Sequence, residues 1–397
     1  MTTRVLVTDG DQRAALAITR SLGSAGFEVG VVAPRQPSLA GSSRFAAWRT
    51  AVPAPGDDPG GFASEVTRLV ADRKVDLVFP VTEGALLALL PIRDRLTPAR
   101  VPFPPLETFS AVSDKGAVLA AAGRLGIAVP GAIRLERPGP VASSVLDAVP
   151  FPAVVKPERS VRSQGSGLAK LTVVHAADRD ELARILAELP PEAFPLQIQQ
   201  RIVGPGTGLF FLIWDGRVVA RFAHRRLREK PPAGGVSVYS ESIPVDEPLA
   251  ALAERLLREF RWEGVAMVEF KRDAATGTPY LMEINGRFWG SLQLAIDAGV
   301  DFPRLLADAA LGRLPAAPPE YRVGARTRWW WGDIDQLVTR LKRSAAALHL
   351  PPGTPGRWAT LARVLVPGLS PGRHEVFRLA DPRPALFESI EWFRSLR

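Results

Sequence analysis

Apolar positions in this chain come in short strand-length runs separated by helical stretches, and their order predicts how the molecule is layered. Residues 4–8 (RVLVT) form an unbroken apolar run, Asp9-Gly10-Asp11 turns the chain, and a helix continues to about Leu22. Glycines at 23 and 26 stop that helix, and residues 28–33 (EVGVVA) read as a second buried strand. Strand, helix and strand in this order predict a parallel sheet with helices on its faces. A later strand, residues 75–81 (VDLVFPV), ends at Thr82-Glu83-Gly84 before an apolar helix over 85–90. Ligands of open α/β sheets gather beyond the carboxyl ends of the strands, where Asp9, Gly10, Asp11, Thr82, Glu83 and Gly84 would lie; turn formation and helix capping explain the same residues equally well.

Further along, Ser113-Asp114-Lys115 opens a helix that continues to Leu125, and residues 151–157 (FPAVVKP) read as a strand. Residues 207–220 predict a hairpin turning at Asp215-Gly216. An amphipathic helix follows over 247–260, with Leu249, Leu252, Leu256 and Phe260 at helical spacing. Near the end, residues 384–397 predict a helix with Leu386, Ile390 and Phe393 facing inward.

The most informative stretch is 265–291, VAMVEFKRDAATGTPYLMEINGRFWGS. It reads as two strands, 265–270 and 280–285, joined by a polar, Gly-containing turn. Side chains repeat every second residue in a strand, so Val265, Met267 and Glu269 share one face, and Leu281, Glu283 and Asn285 share one face of the partner. If the hairpin is symmetrical about Thr276, Glu269 lies directly opposite Glu283, with Cβ atoms roughly 5 Å apart. Two carboxylates so placed repel, and a divalent cation between them removes the conflict. An oxygen-only set of Glu269, Glu283 and Asn285 suits Mg²⁺ carried with a nucleotide. Arg287 is placed to reach a phosphoryl group or an acyl phosphate.

Lys156 is the sole charge on strand 151–157 and calls for an anionic partner. The segment after it, ERSVRSQGSGL at 158–168, can bring backbone N–H groups close to phosphate oxygens. Residues 221–230 (RFAHRRLREK) carry Arg225, Arg226, Arg228 and Lys230, too dense for a routine strand, and these would surround an anionic acceptor or a transferred phosphoryl group; a solvated basic loop is the plainer reading. His224 reads as a packed or surface residue.

Composition narrows the classes. At 397 residues and 46% hydrophobic content the chain should form two or three packed units. It has no cysteine and four scattered histidines, which excludes disulfides, a thiolate nucleophile and a Cys-based metal site, and argues against zinc. The start lacks a signal-peptide profile and no apolar run approaches the roughly 20 residues that span a bilayer, so a cytoplasmic location is expected. Of the net charge of +9, most sits from Arg313 to Arg397, where 14 Lys/Arg face 7 Asp/Glu, so no nucleic-acid partner is expected. This tail holds a Trp329-Trp330-Trp331 run. Packing on the body is its first reading; peripheral docking to an anionic membrane surface or an acidic partner is its second. No dinucleotide-binding G-x-G-x-x-G and no P-loop signature is present.

Glu269 followed by LMEINGRFWGS resembles the metal-binding end of the ATP-grasp fold, specifically its carboxylate–amine ligase-like members, and the likeness covers about residues 1–312. It implies an α/β protein, α+β in the ATP-grasp part: a Rossmann-like pre-ATP-grasp domain at 1–109, a two-subdomain ATP-grasp domain at 110–312 with its lid at about 150–203, and a helical basic extension at 313–397. The resemblance implies ATP with Mg²⁺, Mn²⁺ being the alternative ion. Lys115 in its S-D-K setting and Lys156 would contact ATP, with Ser163, Gly165, Ser166 and Gly167 on its phosphates. Gln199, Gln200 and Ile202 would line the adenine on an edge strand and hinge, although the family often carries Gln-Glu where this chain has Gln199-Gln200. Lys156, Arg226 and Arg287 would serve the phosphoryl transfer. The implied reaction activates a small-molecule carboxylate as an acyl phosphate and joins it to an amine, releasing ADP and phosphate. An ATP-grasp kinase or carboxylase, or a non-catalytic nucleotide-binding regulator, are the alternatives, and relatives commonly dimerise.

Overall fold

The computed structural model describes residues 2–396 apart from 140, 165–166, 351–352 and 367–369; for 162–164 and 170 it describes the backbone alone. The N-terminal unit is a parallel four-stranded sheet in the spatial order Trp48–Ala51, Glu28–Ala33, Arg4–Val7, Leu77–Phe79. Val5, Leu6 and Val7 are wholly buried because helices cover both faces, which is why their run is apolar without alternation. The chain closes on itself tightly at Gly30, where an added Cβ would stand 2.1 Å from the Trp48 ring.

A second, smaller core belongs to an antiparallel sheet in the order Ala132–Leu135, Leu196–Gln200, Ala153–Pro157, Val174–Ala176. Val155, Leu196 and Ile198 fill it from one face of that sheet, with Leu182 of the helix Arg179–Glu188 against them, leaving the alternate residues Lys156, Gln197 and Gln199 to the other. Strand Leu196–Gln200 lies between two partners, so the edge strand expected there is an interior one. The Gly/Ser segment forms a two-stranded hairpin, Val161–Gln164 with Gly167–Lys170. Its Leu168 N–H donates to the Gly56 carbonyl of the N-terminal unit at 2.6 Å.

The third sheet has seven strands, in the order Pro279–Asn285, Gly264–Arg272, Gly206–Trp214, Arg217–Lys230, Val236–Ser242, Arg326–Arg328, Arg373–His374. Its hairpin at 207–220 turns where expected: Asp215 and Gly216 both have positive φ, 49° and 69°. Helix Glu247–Glu259 buries Leu249, Leu256 and Leu257 against it, with Asp246 capping the Leu249 N–H. The basic run at 225–230 is not a loop. It is the second half of the 14-residue strand Arg217–Lys230, bulged on either side of Arg228, and its density of charge is matched by acids on neighbouring elements.

The tail is part of this sheet, since two of its strands come from beyond residue 313. It also clamps the N-terminal helix Arg13–Ser24: Arg20 meets Asp381 at 2.9 Å in a buried pair, and Arg13 pairs with Glu375. Helix Arg383–Ser395 stacks Trp392 on Trp331 at 4.1 Å between ring centroids and hydrogen-bonds Trp329 Nε1 to Glu388 at 2.7 Å. That contact turns Leu386, Ile390 and Phe393 outward, 64%, 43% and 58% exposed, the reverse of the expected orientation. Among the described residues no helix is long and apolar enough to cross a membrane.

Candidate functional site

Strands Gly264–Arg272 and Pro279–Asn285 pair as the sequence suggested, with Glu269 opposite Glu283 and Met267 opposite Asn285. Beyond Glu269 the register shifts, and Phe270 pairs with Leu281, leaving Met282 as the extra residue of a bulge. Strict alternation put Leu281 on the face of Glu283. The bulge instead sets Leu281 beside Phe270 in the core, both wholly buried, while the two carboxylates stay opposed.

The next residues anchor this hairpin to the N-terminal unit. The Phe288 ring stacks on Phe79, at the end of strand Leu77–Phe79, with centroids 6.0 Å apart, and Trp289 lies 4.3 Å from Phe210. Gly286 permits the approach, because a Cβ there would stand 2.3 Å from the Trp262 ring. Arg287, held between these anchors, donates to Asn285 Oδ1 at 3.1 Å. The helix Leu292–Ala298 behind it does not offer its start to the cleft; Ser291 is buried with its hydroxyl 3.4 Å from His224 Nδ1. His224 itself is packed edge-on against Phe210 and kept neutral by burial.

On the Glu283 side of the pair lies a cleft lined by Glu83, Lys115, Ser160, Glu283, Asn285 and Arg287, among others. Asp114 caps the helix Lys115–Arg124 through the Ala117 N–H, which fixes Lys115 on the first turn. The Lys115 ammonium donates to Ser160 Oγ at 2.7 Å and stands 3.7 Å from a Glu283 oxygen. Lys156 Nζ lies 4.0 Å from Met282 Sδ; burial lowers its pKa and the Glu283 charge opposes that fall. Arg226 reaches Glu269 through both guanidinium ends, at 2.8 and 2.5 Å, and Glu229 at 3.0 Å.

The two acids therefore differ. Burial lifts Glu269 above the usual carboxylate range, with Arg226 opposing and Glu283 adding to the rise. Burial would lift Glu283 too, but Lys115, Lys156, the Asn285 amide and Arg287 together hold it below that range. Glu83 is raised by burial against the pull of Arg287 and Lys115. Arg226 thus neutralises Glu269, and Lys115, Lys156 and Arg287 neutralise Glu283, so a divalent ion would take the place of these cations on the two carboxylates. Among the described residues no cluster of three or more His, Cys, Asp or Glu exists, so such an ion would rest on two carboxylates and the Asn285 amide oxygen.

The remaining sequence candidates divide. Gln199 is buried and donates to Gln197 Oε1 at 2.7 Å, on the sheet face that carries Lys156. Ile202 is buried, whereas Gln200 is exposed and lies on the opposite side of its strand. Gly167 borders the Gly56 carbonyl. Gly165 and Ser166 lie outside the described residues, and for Ser163 only the backbone is described. Of the basic cluster, Arg226 alone joins the site: Arg225 pairs with Glu241, Arg228 with Asp333 and Lys230 with Asp335. The sequence reading missed Ser160 and Gln197. A small hydroxyl in a loop and a glutamine in a mixed strand carry no pattern of their own, and only the pairing of strand Leu196–Gln200 with Ala153–Pro157 brings Gln197 opposite Lys156.

A family model described as ATP-grasp in the biosynthetic pathway with Ter operon matches residues 208–332, the span that contains the paired acids. No curated protein matches the chain. Among solved structures, an L-amino acid ligase from Bacillus licheniformis is 18% identical, with a TM-score of 0.63 over 82% of this chain and 78% of its own. An ADP complex of N5-carboxyaminoimidazole synthetase from Staphylococcus aureus is 14% identical, TM-score 0.63, over 86% and 87%. The biotin carboxylase domain of the Hydrogenobacter thermophilus 2-oxoglutarate carboxylase, in complex with MgADP, ADP and bicarbonate, is 15% identical, TM-score 0.63, over 82% and 73%. The match to an ATP-grasp model is thus confined to residues 208–332, and over most of the chain the likeness to these solved structures is one of fold.

Proposed function

We propose that the protein is an ATP-dependent carboxylate–amine ligase, forming an amide through an acyl phosphate with release of ADP and phosphate. The observation that carries this reading is that Glu283, paired across the hairpin with Glu269, lines a cleft together with Lys115 and Arg287, with Lys156 acting on it. Phosphoryl transfer needs positioning and charge neutralisation and requires no protein nucleophile, so a chain without cysteine is suited to it. Mg²⁺ held by Glu269, Glu283 and Asn285 would supply charge neutralisation on the phosphate oxygens. Lys115 and Lys156 would hold the nucleotide phosphates, and Gln199 and Ile202 would line the base. Arg287, oriented by Asn285, would bind the transferring phosphoryl group.

Two residues extend the sequence reading. Arg226 occupies the Glu269 carboxylate from both sides and must turn toward Glu229 when that carboxylate engages a cation. Glu83, raised by burial and lining the same cleft, is the carboxylate placed to take the proton that the amine loses. The expected behaviour is amine-dependent ADP release on screening carboxylate and amine pairs with ATP and Mg²⁺. A carboxylase-type reaction is the second reading, favoured by the similarity to the carboxylase domain and the synthetase, and it would show bicarbonate-dependent ADP release without an amine. ADP release dependent on neither would refute both.

A further inference from the structure

Between Gln336 and His374 the chain carries no acidic residue, while Arg340, Lys342, Arg343, Arg357, Arg363 and Arg373 all fall in that interval. At its centre is the helix Arg357–Leu365. Thr360 and Val364 bury themselves on the tail, and Val364 accepts at its carbonyl from Arg328 at 2.7 Å. Trp358 and Leu365, seven residues apart and so on one line of the helix, face the other way and are 72% and 50% exposed. Val366, next in the chain, is 47% exposed. Arg357 and Arg363 on this helix, and Lys342 and Arg343 at the end of the helix Trp330–Lys342 that packs against it, are exposed, and none forms an ion pair among the described residues. Other tail arginines behave differently: Arg326, Arg328 and Arg378 are each held by a carboxylate.

We propose that this helix is a peripheral docking face for an anionic lipid bilayer. The exposed indole and aliphatic side chains suit the boundary between headgroups and acyl chains, and the unpaired cations beside them suit lipid phosphates and carboxylates. A nucleic acid would meet the cations but leave Leu365 and Val366 in water. The sequence alone offered such docking for the tail in general; the structure assigns it to the helix Arg357–Leu365 and withdraws it from the strands and arginines already engaged in the sheet. The inference does not rest on the ligase reading.

The test is co-sedimentation of the full chain with phosphatidylcholine vesicles and with phosphatidylcholine–phosphatidylserine vesicles. Binding is expected to the mixed vesicles only and to weaken as salt rises. Each Lys or Arg near such a surface strengthens binding about fivefold, so Arg357→Glu with Arg363→Glu should weaken it by well over an order of magnitude. Trp358→Ala should weaken it with unchanged salt dependence. Both variants change exposed side chains, and an unaltered melting temperature will show that they fold. Equal binding to both vesicle types, no binding to either, or mixed-vesicle binding unaffected by the variants would overturn the proposal. So would binding to heparin or duplex DNA in preference to the mixed vesicles, which would make the partner a polyanion without a bilayer.

Discussion

Replacing Arg226 by Met tests the electrostatic logic of the site most directly. Arg226 and Glu269 have side chains only 10% and 13% exposed, and two hydrogen bonds join them. Met keeps most of the aliphatic volume but leaves Glu269 buried with Glu283 opposite and no guanidinium between. Removing one partner of a buried pair costs on the order of 3–5 kcal/mol. At about 2–4 °C per kcal/mol for domains of this size, the melting temperature should fall by roughly 6–20 °C. Protonating Glu269 relieves the conflict. The variant's deficit should therefore shrink as pH falls, because a carboxyl whose folded pKa is raised loses stability as pH rises through that value. If Glu269 and Glu283 take a divalent ion, MgADP should raise the variant's melting temperature by more than it raises the parent's, since the ion replaces the missing charge without displacing Arg226. Differential scanning calorimetry at two pH values, with and without MgADP, reads all three effects. A variant that melts with the parent, or one that MgADP stabilises no more than the parent, would refute the reasoning.

Glu283→Ala should abolish ATP turnover while circular dichroism stays native, as the side chain is partly open to the cleft; full activity would contradict its assignment as a metal ligand. Lys156→Met should weaken binding of a fluorescent ATP analogue by at least about tenfold, the loss of one charge-assisted contact, with the fold retained. Glu83→Gln should lower kcat for amine-dependent ADP release while leaving nucleotide affinity unchanged in the same titration. Burial raises the Glu388 carboxyl to about 7, so on this account stability should be greatest below about pH 4.5, decline as pH rises through 7 and level off beyond it. Glu388→Gln keeps an acceptor for Trp329 and should remove that decline, a gain on the order of 1–3 kcal/mol at pH 8 in denaturant melts.

What the sequence could say came from local causes. The turn at Asp215-Gly216, the cap at Asp114 and the opposition of Glu269 to Glu283 depend on residues close along the chain, where backbone preference and strand period act without outside help. The apolar runs at 4–8 and 28–33 also announced a covered parallel sheet, because only a strand buried on both faces lacks polar alternation. Tertiary structure decided the rest. Which face of helix Arg383–Ser395 turns inward was set by the stack of Trp392 on Trp331, a choice that helical spacing leaves open when both faces hold apolar residues. Whether the arginines at 225–228 meet substrate or protein depended on acids more than a hundred residues away for Arg228 and at the paired position for Arg225. The bulge at Met282 and the interior place of strand Leu196–Gln200 likewise belong to the sheet and not to the segment, since register is fixed only when partner strands are in place.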